Sequence, residues 1–179
     1  GGLLTLDGVW GLQGWQLMFL VEGVLAAIVG VWAFFYLDDR PADPETIRAM
    51  TAAMDYRGPD GMAHWTEGNA ALGHCMMHTT TESLTETQPL ADETSAIRLA
   101  MDGWLANPEE LRAQLLERGV RLRDRSDAEL VLKAWLTWGE QCCNHIDGEW
   151  AFVIWDARRR TGFAARDHIG LRPLHYHWN

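Results

Sequence analysis

Residues 16–37 form an almost unbroken apolar run, Gln-Leu-Met-Phe-Leu-Val-Glu-Gly-Val-Leu-Ala-Ala-Ile-Val-Gly-Val-Trp-Ala-Phe-Phe-Tyr-Leu. From Gly1 to Leu37 there is no Lys or Arg, and the acids are Asp7 and Glu22. Such a stretch must be hidden from water, because roughly 20 apolar residues suffice for a helix to span a bilayer. Glu22 sits near one end of the run and reaches an interface, so it does not rule out a span. The lack of a basic start and the length of the run argue against a secretory signal peptide. Residues 1–37 are therefore expected to be a hydrophobic helical unit, with membrane contact through 16–37.

After Asp38 the texture changes. Charges recur regularly, and Pro41 and Pro44 mark a break. Asp43 followed by Pro44 reads as an N-cap and first helical residue, with Ile47, Met50, Thr51 and Met54 at helical spacing. Gly58, Pro59 and Gly61 make a turn. Strands are expected over 70–78 and 95–101, the second ending at an Asp102-Gly103 turn. Pro108 to Arg118 predicts a helix with Leu111, Leu115 and Leu116 as its apolar stripe, ended by Gly119. Ser126, with Glu129 three residues on, reads as a capping box. The helix it opens carries Leu130, Val131, Ala134, Trp135 and Trp138, and stops at Gly139. Strands follow over 149–156 and 161–166, joined by the basic turn Arg158-Arg159-Arg160. Mixed helices and hairpin-like strands make the globular part, 38–179, an α+β domain.

The net charge of −10 and the pI of about 5.0 exclude a nucleic-acid partner, which wants a basic face, and electrostatic docking to anionic lipid. The cysteines are Cys75, Cys142 and Cys143, with no Cys-x-x-Cys pair, so a disulfide scaffold is not expected and a reducing, cytoplasmic compartment fits. His74 with His78, and His175 with His177, are spaced like metal pairs but lack a third ligand, so no metal is expected. The ten tryptophans read as core and interface packing.

Two resemblances sharpen this. Leu-Asp-Gly-Val-Trp-Gly-Leu-Gln-Gly-Trp-Gln-Leu-Met-Phe-Leu-Val-Glu-Gly, with the apolar run and Tyr-Leu-Asp-Asp-Arg-Pro-Ala-Asp after it, resembles one region of major facilitator superfamily transporters of the anion:cation symporter group, over residues 1–43. One or two helices cannot form a transport path, since such sites lie between many helices. Downstream come, in order, Arg57-Gly58-Pro59-Asp60-Gly61, Leu72-Gly73-His74, Gln88-Pro89, Asp102-Gly103 with Asn107, and Glu110-Leu111-Arg112. Ser126-Asp127-Ala128-Glu129, Trp138-Gly139, Asp147-Gly148-Glu149-Trp150-Ala151-Phe152 and Arg166-Asp167-His168-Ile169-Gly170-Leu171-Arg172-Pro173-Leu174 complete the set. Together they resemble the class II glutamine amidotransferase domain of asparagine synthetase-like proteins, over residues 39–178.

That resemblance implies a four-layer α-β-β-α sandwich of the N-terminal nucleophile hydrolase type, here behind an N-terminal hydrophobic helix. It implies glutamine as substrate and no cofactor. In the family an N-terminal cysteine attacks the glutamine amide, its own α-amine taking the thiol proton. An Asn side chain and a Gly amide hold the oxyanion. An Arg grips the glutamine carboxylate and an Asp the α-ammonium.

Carried over position by position, the Asp is Asp127 and the oxyanion Gly is Gly103, but the Asn is replaced by Asp102, whose carboxylate repels an oxyanion. The Arg falls at Met76, beside Cys75. Met77, Thr79, Thr80 and Trp104 fall at the other glutamine-binding positions. The strand resembling Cys-Gly-Ile-Val-Gly-Val-Trp is Ala26-Ala27-Ile28-Val29-Gly30-Val31-Trp32, which puts Ala26 at the nucleophile position. Cys75 reads as a half-buried strand residue and not as a substitute nucleophile. The expectation is a degenerate amidotransferase domain without glutaminase activity. The phosphate loop Ser-Gly-Gly-x-Asp-Ser of the family's synthetase domain does not occur, so a synthetase domain or partner subunit is missing from this chain. The alternatives are a membrane-tethered non-catalytic module and a fusion with a transporter fragment. Residues 28–43 fit both frameworks, as a membrane exit or as the first strand and turn of the domain.

Overall fold

The computed structural model describes residues 41–176, all within the second of two compact units, 1–40 and 41–179. The hydrophobic segment 1–37, its helix and Ala26 lie outside the described residues. Among the described residues no helix is long and apolar enough to cross a membrane.

The first helix, α1 (Pro44–Ala52), starts where the sequence expects it. The Asp43 carboxylate accepts from the backbone N–H of Glu45 at 3.0 Å and of Thr46 at 3.3 Å, satisfying donors that a helix start leaves orphaned. Its inward face is narrower than the expected stripe. Thr51 is buried and Ile47 half-buried, whereas Met50 and Met54 are exposed, because only one edge of the helix meets the strands. Those strands, β1 (Gly61–Glu67) and β2 (Ala70–Met76), form an antiparallel hairpin around Gly68, whose φ of +57° suits a tight two-residue turn. α1 sits so close that a Cβ on Gly73 would lie 2.5 Å from Thr51 Cγ2.

The second sheet has the order β3-β4-β5-β6, all antiparallel: β3 (Leu90–Ala91), β4 (Ile97–Leu105), β5 (Gly148–Asp156) and β6 (Thr161–Arg166). Alternate residues of β4 and β5 point to one face, where Ile97, Leu99, Met101, Trp150, Phe152 and Ile154 are buried. They pack with Leu111 and Leu115 of α2 (Pro108–Glu117) and with the apolar residues of α3 (Asp127–Trp138). The hairpin reaches this sheet through His74, whose Nε2 lies 3.0 Å from Met101 O, and through Arg98, which stacks 5.2 Å from the Trp65 ring centroid.

Three expectations change. Asp102-Gly103 is not a turn: β4 continues through it, pairing Gly103 with Trp150 and Leu105 with Gly148. Gly103 has φ +137°, a backbone state that reads locally like a turn but here sits within a paired strand. Leu116 is 55% exposed, so the α2 stripe is Leu111 and Leu115. The capping box is half-formed. Ser126 Oγ accepts from Glu129 N at 3.2 Å, but the Glu129 carboxylate turns to the Arg123 backbone N–H at 3.1 Å and to Arg123 Nε at 2.9 Å. A guanidinium offers this buried carboxylate more than one neutral N–H, and Ser126 N donates instead to Asp124 Oδ1 at 2.8 Å.

Candidate functional site

Beyond the tip of β2, the turn 55–57, the C-terminal half of β4 and Arg172 in the loop after β6 border a cavity of about 890 Å³. Met76, Met77, Thr79, Thr80, Asp102, Gly103, Trp104 and Asp127 all line it, so the structure brings together every site position of the sequence reading that falls within the described residues. Their details differ from what the family roles require.

Gly103 is fixed by close approach. A Cβ there would lie 2.1 Å from Glu149 O and 2.6 Å from Trp150 Cα. Next to it, Asp102 stands between two guanidiniums. Its Oδ2 is 3.5 Å from Arg57 Nη2 and its Oδ1 is 3.7 Å from Arg172 Nη1. Arg57 comes from the short 3₁₀ turn Asp55–Arg57. Arg172 comes from the loop after β6, which is wound around Asp167. There Oδ1 accepts from the N–H groups of Ile169 (3.1 Å), Gly170 (2.5 Å) and Leu171 (2.9 Å), and Oδ2 from that of Arg172 (2.9 Å). These backbone donors, Arg172 first, hold the Asp167 carboxyl down to about 2.

Asp127 is the first residue of α3, and its Oδ2 accepts from Leu105 N at 2.9 Å. Burial pushes its carboxyl above the ordinary range, against the opposing pull of that N–H. Glu86, which the sequence reading did not single out, behaves the same way: burial raises it, and the negative charge of Asp127 adds to the shift. Gln88 holds it in place. The amide Nε2 donates to Glu86 Oε1 at 2.6 Å, while Gln88 Oε1 accepts from Met101 N at 2.6 Å. The cavity therefore has a desolvated acidic side and an arginine side.

The Thr80 hydroxyl is committed locally, accepting from Ser83 N at 3.2 Å. Met77 is 58% exposed and Trp104 is 43% exposed. Cys75 is half-buried, its Sγ 3.6 Å from Thr51 O and its thiol pushed up by burial, so it is poorly suited to attack. His74 is lowered by burial and so favours the neutral ring, with Nε2–H donating to Met101 O and Nδ1 without a hydrogen-bond partner among the described residues. Among the described residues no group of three His, Cys, Asp or Glu comes together as a metal site. The sequence reading also gave no role to Arg57 or Arg172, although both lay inside its motif blocks.

The sequence pattern of the glutamine amidotransferase domain matches residues 25–179. The chain belongs to the glutamine amidotransferase domain family. The family match begins inside the apolar run, so it takes part of that run into the amidotransferase domain, and none of the matches supports a transporter fragment. Among curated proteins, asparagine synthetase [glutamine-hydrolyzing] 3 of Bacillus subtilis is 33% identical over 136 residues, 75% of this chain and 22% of that protein. Amidase chyE of Penicillium rubens is 35% identical over 121 residues, 68% of this chain and 18% of the relative. An asparagine synthetase [glutamine-hydrolyzing] of Asparagus officinalis is 30% identical over 79% of this chain and 23% of its own length. This amidotransferase-family chain thus spans about a quarter or less of these relatives. A solved glutamine phosphoribosylpyrophosphate amidotransferase from B. subtilis, complexed with ADP and GMP, is 29% identical over 60% of this chain and 25% of that one, with a TM-score of 0.48.

Proposed function

We propose that this chain is the glutamine-recognition domain of an asparagine synthetase-type protein, and that it binds an amino acid without hydrolysing glutamine. The observation that carries this reading is the Asp102 carboxylate lying between Arg57 and Arg172. Glutamine hydrolysis passes through a tetrahedral oxyanion, which needs neutral or positive donors aimed at it. A carboxylate at that position, placed between two guanidiniums, is an acceptor where the oxyanion needs a donor. Ala26 at the nucleophile position supplies no thiol. Of the glutamine-binding positions, Asp127 is retained and lines the same cavity, with Oδ2 taken by Leu105 N and Oδ1 left for a ligand's ammonium.

The order of contacts, α1 on the β1–β2 hairpin, the hairpin on β4, and the four-stranded sheet on α2 and α3, supports the four-layer α-β-β-α sandwich of the family. In the wider protein, a synthetase domain or subunit is the partner that this domain serves.

Glutamate release from glutamine by the purified 179-residue chain tests the reading, with an authentic asparagine synthetase as positive control. No release above background is expected. Sustained release would overturn the proposal and place the nucleophile elsewhere in the chain.

A further inference from the structure

We propose that Arg57 and Arg172 are the carboxylate receptor of this cavity, with Asp102 as their resident internal counter-ion. The inference rests on the amino-acid-binding reading of the same cavity and names the group that would recognise the ligand's carboxylate, now that position 76 is a methionine.

Charge comes first. Two guanidiniums face one carboxylate, so the triad carries one positive charge in excess. The separations of 3.5 and 3.7 Å are longer than the roughly 2.7–2.9 Å of a tight charge-assisted hydrogen bond, so Asp102 does not saturate either fork. Each guanidinium has five donors, and Arg172 Nε is buried with no partner among the described residues.

Access is the second point. The side chains of Arg57, Arg172 and Asp102 are 45%, 32% and 55% exposed, and all three line the cavity. The other arginines on its wall are engaged. Arg112 donates to the carbonyls of Asp124 and Arg125, and Arg125 pairs with Glu109. Among the described residues, the ion pairs of Arg57 and Arg172 go to Asp102 alone, and neither guanidinium donates to a backbone carbonyl. Asp127 and Glu86 line the same space, so the cavity sets acidic acceptors beside the cationic pair for one ligand to bridge. That polarity fits an α-amino acid. Asp102 then competes with the ligand's carboxylate for the same two cations.

Calorimetric titration of the full chain with glutamine, with propionate (a carboxylate without an ammonium) and with butylamine (an ammonium without a carboxylate) tests this. Removing the competing charge in Asp102→Asn should tighten propionate binding by about tenfold or more. The double variant Arg57→Gln, Arg172→Gln should lose propionate and glutamine binding while keeping butylamine binding, which also reports that it is folded. Unchanged propionate affinity in Asp102→Asn, or unchanged affinity in a folded double variant, would overturn the proposal. The Asp102→Asn arm decides the matter even where the double variant does not fold. Tightened propionate binding without any glutamine binding would leave the carboxylate receptor standing and overturn the amino-acid reading.

Discussion

Asp167 accepts the backbone N–H of Arg172 at 2.9 Å, and so determines where the Arg172 guanidinium enters the cavity from five residues away. The same carboxylate takes three further N–H groups of its loop. A carboxyl held down to about 2 in the folded state contributes stability that is present above the ordinary carboxylate range. That contribution disappears as pH falls from about 4 towards about 2, the interval between the ordinary and the folded value. Thermal melts of wild type and Asp167→Asn across pH 2–6 should differ in slope in that window, the variant losing this component of acid sensitivity. An identical slope would show that the loop does not depend on the charge.

Gly103→Ala should be among the most damaging substitutions in the domain. The added Cβ meets the Glu149 carbonyl at 2.1 Å, and φ +137° is hostile to any L side chain. Strain of this kind costs about 1–3 kcal/mol before any backbone displacement is counted. Urea unfolding should show a loss of at least about 2 kcal/mol. A loss under 0.5 kcal/mol, roughly that of an unremarkable surface change, would mean that β4 and β5 can part at this point without consequence.

Glu129 is fully buried and ion-paired to Arg123, with Lys133 Nζ 3.8 Å away. Glu129→Gln leaves Lys133, itself 6% exposed in its side chain, with Glu93 as its remaining acid, and takes the paired carboxylate from Arg123. Breaking a buried pair by removing one partner typically costs about 3–5 kcal/mol. The expected midpoint shift in chemical denaturation is correspondingly large, and Glu129→Leu should be no milder. A neutral result would indicate that Arg123 and Lys133 reach solvent freely when the acid is gone.

The raised carboxyls of Glu86 and Asp127 act in the opposite sense to Asp167. The folded state binds their protons more tightly than the unfolded chain does, so stability falls as pH rises from the ordinary carboxylate range through the raised values. Glu86→Gln should therefore stabilise the free domain at neutral pH while weakening butylamine binding. Melting curves and titrations on one variant check both halves, and a variant less stable than wild type at pH 7 would refute the assignment.

Much of this was readable from the chain, for identifiable reasons. Asp43, Ser126 and Gly119 are local signals, and each acts within a few residues of itself: Gly119 N–H closes on Leu116 O at 2.9 Å, as a helix-ending glycine should. The ordered motif blocks located the cavity because its walls are built from those blocks. What stayed illegible depends on distance along the chain. Arg57 meets Asp102 across 45 residues, and no periodicity reports such a meeting. Asp102-Gly103 misled because a positive-φ glycine after an aspartate gives the same local signature in a turn and in a distorted strand. Glu86 could not be recognised as half-buried, since its place in the cavity wall is set by Gln88, which reaches across to Met101. Ala26 lies outside the described residues, so its position remains a reading of the sequence alone.

Met101 has a consequence beyond the site. β3 pairs with β4 only at Leu99 and Arg98, so among the described residues no strand pairs with the outer edge of β4 from Met101 onward. An open strand edge invites pairing with another chain. At Met101 both polar groups are already taken by side chains, the N–H by Gln88 and the carbonyl by His74. An incoming strand would have to displace two hydrogen bonds before forming its first. Gln88 and His74 thus leave Met101 with neither a spare donor nor a spare acceptor for a strand that would add at this edge.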